Sequence, residues 1–352
     1  MSDGRGRALH FACPGRIDQP TGGYRYDAAI LAGLAAQGRR VVLHELAGRF
    51  PDADEAARAA ARACVAAAQG AVLVVDGLAL PAFEGALPAP GLRAVALVHH
   101  PLALETGIDP ALRRRLAALE PALVRACGAA IVTSPATIPD VAAMGLDAAR
   151  IRAVAPAVEH DAITRPRARA TLRLLCVASL TPRKAHRVLL AALARLRDLP
   201  WRLDCIGPRH HDAREAGRVA LARMARRLGG RVRLAGAVEA GRVRAAYRRA
   251  DLFVLPSLHE GYGMAFAEAM AAGLPVVGAR AGAVPATVPR RAGVLVRPGD
   301  VAGLARALRR LATRPDARAR LARGARDHAR ALPGWPAQAR RFAEALGALE
   351  AP

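Results

Sequence analysis

Short aliphatic runs alternate along the chain with longer Ala/Leu/Arg segments of helical period. In the first half the runs Ala8–Cys13, Arg40–Glu45, Ala71–Asp76, Ala94–His99, Ala129–Thr133 and Ile151–Ala155 are predicted strands, and Tyr24–Gln37 and Asp109–Ala126 are among the helices between them. Strands apolar along most of their length and separated by helix-length segments belong to parallel sheets with crossover helices on both faces. The alternation breaks at Glu159–Thr171, a polar, basic, proline-containing stretch expected to link two domains. It resumes with Leu172–Ala178, Trp201–Ile206, Val232–Ala235, Leu252–Leu255, Leu274–Gly278 and Gly293–Val296. After Gly299-Asp300 the chain reads as helical and Arg-rich, interrupted at Pro315 and Pro333, and closes on Pro336–Leu349. The pattern predicts an α/β protein of two doubly wound Rossmann-like domains, residues 1–165 and 166–334, facing across a cleft, with ligands at the carboxyl ends of the strands.

Composition narrows the function. With 53% hydrophobic and 23% charged residues the chain can bury a core, which excludes intrinsic disorder. The longest uncharged run, Ala126–Pro139, contains two prolines and falls short of a bilayer span, and the amino-terminal residues lack a secretory pattern, so a cytoplasmic protein is expected. A net charge of +24 points toward nucleic acid or an anionic surface. Yet 52 of the 53 basic residues are arginine, which reads as compositional drift, and 3% aromatic residues leave few platforms for stacking bases. Nucleic acid is therefore not the expected partner. The basic helices at Ala302–Arg330 and Arg218–Arg227 read as solvated faces and also allow peripheral contact with the inner face of an anionic membrane. The five cysteines lie at least 29 residues apart with no Cys-x-x-Cys pair, and read as small buried hydrophobes. His210-His211-Asp212 reads as a solvated loop rather than a metal site.

The chemistry concentrates in Asp251–Val277, where an apolar strand runs through Pro256-Ser257 into Glu260-Gly261-Tyr262-Gly263 and a helix from about Met264. The exposed N–H groups of a first helical turn, around Gly263, Met264 and Ala265, suit a phosphate. Carboxylates beside a phosphate need hydroxyl donors, so Glu260 and Glu268 suggest a sugar or ribose. Glu260, seven residues, then Glu268, with Pro256-Ser257 before and Gly273-Leu274-Pro275-Val276-Val277 after, resembles the signature of glycosyltransferase family 4. The resemblance covers nearly the whole chain and is specific mainly over residues 172–300.

That resemblance implies a retaining enzyme of GT-B fold that uses a nucleotide-sugar donor without a metal or other cofactor. The first domain would bind the acceptor, the second the donor, and residues 335–352 would cross back to the first domain. Cys176–Leu190 is similar to the family's diphosphate-binding loop, with Lys184, the chain's one lysine, at the family lysine and a helix beginning near it. The family arginine is Ser179 here, which leaves Arg183 as a substitute, and the glycine after the lysine is Ala185. Gly22-Gly23 resembles the glycine pair near donor and acceptor, and Val232–Val238 the strand whose following backbone, at Val238, holds the base. Leu97–Thr106 resembles the His-bearing loop beside the donor sugar, with His99 the better match and His100 the second, and Glu105 could face the acceptor. Pro156-Ala157-Val158-Glu159 resembles the hinge, and Ala286 stands where the family usually has a glutamate. Catalysis is thus expected from Lys184, Glu260 and His99, and donor binding from Arg183, Glu268, Gly263, Met264, Ala265, Gly22, Gly23 and Val238.

The expected reaction moves a hexose-type sugar to a hydroxyl of a glycan, glycolipid or small-molecule acceptor, by front-face attack in which the leaving phosphate takes the proton. Three other readings compete. A GT-B-like protein without catalysis could bind an acidic partner through its positive charge, and a nucleotide-sugar epimerase would need no acceptor. A nicotinamide oxidoreductase could use Gly261-Tyr262-Gly263, but Phe266 occupies the third glycine position of that fingerprint.

Overall fold

A computed structural model of the protein describes residues 8–159, 170–208 and 215–350. The chain divides into two compact units, Met1–Ala157 with Trp335–Pro352, and Val158–Gly334. The division precedes the polar stretch at Glu159 because Val158 is already buried in the second unit's core. Most of that stretch, and His210-His211-Asp212, lie outside the described residues.

The first unit runs β1 (Leu9–Pro14), α1 (Gly22–Ala36), β2 (Val41–Leu46), α2 (Glu55–Ala67), β3 (Val72–Asp76), β4 (Arg93–Val98), α3 (Pro110–Cys127), β5 (Ala130–Val132), α4 (Ile138–Ala142) and β6 (Ile151–Ala153). Its six strands lie in the order β2-β1-β3-β4-β5-β6, all parallel. β1 and β3 are buried along their whole length, which is why they read as unbroken apolar runs. Helix ends follow local chemistry: Asp54 and Asp109 accept first-turn N–H groups of α2 and α3, and Gly128 ends α3 in the left-handed region.

The second unit runs β7 (Leu172–Val177), α5 (His186–Ala194), β8 (Trp201–Ile206), α6 (Glu215–Arg226), β9 (Val232–Gly236), α7 (Ala240–Arg249), β10 (Leu252–Leu255), α8 (Met264–Ala271), β11 (Val276–Ala279), α9 (Val284–Thr287), β12 (Gly293–Val296), α10 (Val301–Thr313) and α11 (Pro315–Arg330). Its parallel sheet has the order β12-β11-β10-β7-β8-β9. All twelve predicted strands are present, and the chain is an α/β protein with two six-stranded parallel sheets. Among the described residues, no helix is long and apolar enough to cross a membrane.

The last helix, α12 (Trp335–Glu350), belongs to the first unit and packs against α1. The two helices touch at Gly33, where an added Cβ would lie 2.4 Å from that of Ala339. Phe342 and Leu346 of α12 are fully buried there. Gly33→Val is therefore expected to lower unfolding stability by about 1–3 kcal/mol through overpacking, against a helix-propensity gain of only a few tenths. Chemical denaturation of the two proteins measures the difference.

Candidate functional site

The strand order of the second unit reverses between β7 and β10, so the connections leaving their carboxyl ends turn to opposite sides of the sheet. The two loops at this reversal carry the predicted charges, and the charges meet. Lys184 Nζ donates to Oε1 and Oε2 of Glu260 at 2.6 and 2.8 Å, and Ser257 Oγ donates to Oε1 at 2.6 Å. Arg183 donates from Nη1 to the His259 carbonyl at 3.0 Å and lies 3.6 Å from Glu260 Oε2. A backbone bond from Leu258 N to the Arg183 carbonyl, 2.7 Å, ties the loops together. Burial alone would raise the Glu260 carboxyl, but the Lys184 and Arg183 charges and the bonds from Lys184 and Ser257 outweigh it and hold the group at about 2.

The sequence places a helix start near Lys184, whereas α5 begins at His186. Pro182–Lys184 forms a single tight turn, and Ala185 then adopts φ +52, the one non-glycine positive φ among the described residues. A glycine is the natural occupant of that conformation, which accounts for its place in the family loop. The turn places Lys184 ahead of the helix rather than on it, and the ammonium is met by the Glu260 carboxylate.

Three residues beyond Glu260, Gly263 precedes α8, and Met264 and Ala265 open the helix. Phe266 N returns to the Gly263 carbonyl at 2.9 Å, so the N–H groups of Met264 and Ala265 come before the first bond of the helical ladder. One turn on, Glu268 accepts from Tyr247 Oη of α7 at 3.0 Å. Val238 lies in the turn between β9 and α7 and packs, half-buried, on the second unit's core. Ala286 is exposed on α9.

The first unit builds a second charged cluster where its own strand order reverses, between β1 and β3. Gly22 and Gly23 open α1, Asp27 follows one turn later, Asp76 ends β3, and His99 comes directly after β4. His99 Nε2 lies 3.1 Å from Asp27 Oδ1 and 3.2 Å from Asp76 Oδ2, with both carboxylates buried. Gly23 allows this approach, since a Cβ there would lie 3.3 Å from His99 Cδ2. Burial disfavours a charged His99 ring, yet the two carboxylates override it and raise the imidazole well above its ordinary value. Burial, reinforced by the charge of Asp76, pushes Asp27 up against the opposing pull of His99, while Asp76 stays low through its bonds to His99 and Asp27. Two acids and one imidazolium thus share their protons unequally, with Asp27 the acid nearest to neutrality. Its Oδ2 is buried without a hydrogen-bond partner among the described residues.

His100 and Glu105, the predicted acceptor-facing residues, engage each other at 3.2 Å. Their loop is pinned from α3 by Glu120, whose two oxygens accept from Leu102 N at 3.0 and 2.9 Å. Burial pushes the Glu120 carboxyl up to about 7 against the pull of the Leu102 and Ala103 N–H groups.

The sequence reading missed Asp27, Asp76, Ser257 and Tyr247. Asp76 carried a usable signal, an acid at the carboxyl end of an apolar parallel strand. Asp27 stands one helical turn after the glycine pair, on the face that α1 buries. Among the described residues two groups bring three possible metal ligands within 4.8 Å of one another: Asp27, Asp76 and His99, and Cys176, His186 and Cys205. The second group adds to the reading of the cysteines as small buried hydrophobes. All five are buried, but two of them come together.

Lys184→Met should cost about 3–5 kcal/mol by leaving Glu260 buried and unpaired, and adding Glu260→Gln should restore much of that loss. Because the Glu260 carboxyl is depressed from 4.5 to about 2, its contribution to stability is present above pH 4.5. The advantage of wild type over Glu260→Gln, about 3 kcal/mol at neutral pH, should shrink as pH falls from 4.5 toward 2, as followed by urea titration. In the first unit, Asp76→Asn should lower the pKa of His99, measured by NMR titration of the imidazole, by at least about one unit.

Residues 171–314 match the family model described as glycosyl transferases group 1. An 84-residue stretch is 48% identical to the D-inositol 3-phosphate glycosyltransferase of Saccharomonospora viridis, covering 24% of this chain and 20% of that protein. The chain therefore matches only about a fifth of the length of that relative. Among solved structures, sucrose-phosphate synthase from Thermosynechococcus elongatus superposes with a TM-score of 0.82 at 20% identity, over 97% of this chain and 99% of that one. Anabaena Alr3699/HepE in complex with UDP-glucose superposes at 0.76 and 18% identity, over 97% and 99%. Residues 171–314 thus match the glycosyl transferases group 1 model, and nearly the whole chain shares its fold with these two solved structures.

Proposed function

We propose that the protein is a family 4-like glycosyltransferase that transfers a hexose-type sugar from a nucleotide-sugar donor to an acceptor hydroxyl with retention of configuration. The observation that carries this reading is the Lys184–Glu260–Ser257 cluster at the β7/β10 reversal, a few residues before the start of α8. An incoming diphosphate would compete with Glu260 for the Lys184 ammonium and take N–H groups of Met264 and Ala265. Glu260, ionised at neutral pH, would then be a hydroxyl acceptor for the donor. Glu268, on the same helix and already bonded to Tyr247 Oη, suits ribose hydroxyls.

When the glycosidic bond breaks, negative charge collects on the departing nucleoside diphosphate. Lys184, drawn in part from Glu260, and Arg183, held on the His259 carbonyl, would stabilise that charge without a metal cofactor. The acceptor hydroxyl attacks on the face the diphosphate leaves, and the phosphate oxygen takes its proton. His99, held as an imidazolium by Asp27 and Asp76, is the group that the family resemblance assigns to the donor sugar. A glycan or a lipid-linked molecule would serve as acceptor, and the arginine-rich helices allow contact with an anionic membrane.

A panel of UDP-, GDP- and ADP-linked glucose, galactose, mannose and N-acetylglucosamine tests the reading by thermal shift and slow donor hydrolysis. One donor should stabilise the wild type, and Glu268→Ala should lose that stabilisation. Lys184→Ala, assayed below its own unfolding range, should turn over about 10²–10³-fold more slowly. Stabilisation by none of these donors would overturn the proposal.

A further inference from the structure

A second group of functional side chains lies inside the second unit and has no part in the reaction proposed above. Cys176 on β7 and Cys205 on β8 are register partners in neighbouring parallel strands, so their side chains leave the same face of the sheet. His186, the first residue of α5, reaches over that face, and its Nε2 lies 3.6 Å from Cys176 Sγ. All three residues are at most 4% exposed. Their two sulfurs and one ring nitrogen lie within 4.8 Å of one another. His186 Nδ1 is also buried, with no hydrogen-bond partner among the described residues.

We infer that Cys176, Cys205 and His186 form a binding site for a thiophilic divalent metal ion, with zinc as its natural probe. Bond lengths near 2.3 Å to sulfur and 2.05 Å to nitrogen, at tetrahedral angles, separate the two ligand atoms by about 3.5 Å, which the Cys176–His186 contact already meets. Two sulfurs on one ion stand about 3.8 Å apart, a separation that small side-chain rotations supply. Two thiolates, a neutral imidazole and a divalent cation sum to zero charge, the one total a fully buried site carries without a large desolvation cost. The ion would load as the chain folds, because the ligands converge only when β7, β8 and α5 are in place. It would clamp the start of α5 to the sheet two residues beyond Lys184, and so hold the loop that carries the lysine.

The protein is refolded in metal-free buffer with and without Zn2+, and bound metal per chain is counted by plasma mass spectrometry. One zinc per chain and a raised melting temperature are expected. Cd2+ should give a thiolate-to-cadmium charge-transfer band of two-thiolate intensity. Cys176→Ala, Cys205→Ala and His186→Ala should each weaken zinc binding more than about 100-fold, whereas Cys13→Ala, Cys64→Ala and Cys127→Ala should leave it unchanged. Circular dichroism verifies folding; should the cluster variants fail to fold, the wild-type cadmium spectrum decides. No zinc uptake, no thiolate–cadmium band, or equal loss in the control variants would overturn the site. None of these readouts involves sugar transfer, so the metal site and the proposed activity stand or fall separately.

Discussion

The carboxylate of Glu260, buried as deeply as it is, remains charged beside the Lys184 and Arg183 cations, and a pairing of that kind fixes more than two side chains. Lys184 and Glu260 are 76 residues apart and sit in the loops that follow β7 and β10, so their bond ties the two loops at the reversal point of the second sheet. The Leu258–Arg183 backbone bond, the guanidinium on the His259 carbonyl and the Ser257 hydroxyl all arrange themselves around that one buried charge. Met264 and Ala265 then open α8 four and five residues after Glu260, in a position set by the same loop. The loops at the reversal point are therefore held by an interaction internal to the protein, and on the proposed function a diphosphate would have to draw Lys184 from Glu260.

The first unit solves a related problem differently. Two acids and one imidazole meet at its reversal point, where full ionisation of both acids would leave an excess buried negative charge. Asp27 moves toward neutrality while Asp76 and His99 keep their charges, which leaves a compact ion pair with a protonatable neighbour. In both units the charged side chains meet beyond the carboxyl ends of central strands, the position that the topology of an open parallel sheet offers to ligands. The shared rule is topological, and the electrostatics of the two clusters are not interchangeable.

Strands were the most legible part of the sequence, because a strand buried on both faces must be apolar throughout and cannot be disguised by a polar face. Lys184, Glu260 and Glu268 were legible through the resemblance of their flanking residues. Boundaries set by one backbone conformation were not: the start of α5 depends on Ala185 taking a left-handed φ that alanine gives no hint of. Asp27 hid inside a mostly apolar helix, and its place in the cluster emerges only when β3 and β4 bring Asp76 and His99 to it. The cysteine pair hid for another reason. A right-handed crossover returns the chain to the neighbouring strand after a helix, so residues 29 apart become register partners, a spacing that linear motifs do not sample.

The solitary lysine draws these threads together. Arginine fills 52 of the 53 basic positions, and its planar fork suits surface carboxylates such as Asp198, which Arg309 meets with both terminal nitrogens. At Glu260 a guanidinium is already present from Arg183, lying on the His259 carbonyl and near one carboxylate oxygen. The carboxylate is buried, and both of its oxygens are met from one point. An ammonium does this at 2.6 and 2.8 Å, whereas a second planar fork would have to displace the first or open the loops that Leu258 ties shut. The one lysine thus stands where a point charge meets both oxygens, at the buried carboxylate around which the second unit's loops are arranged.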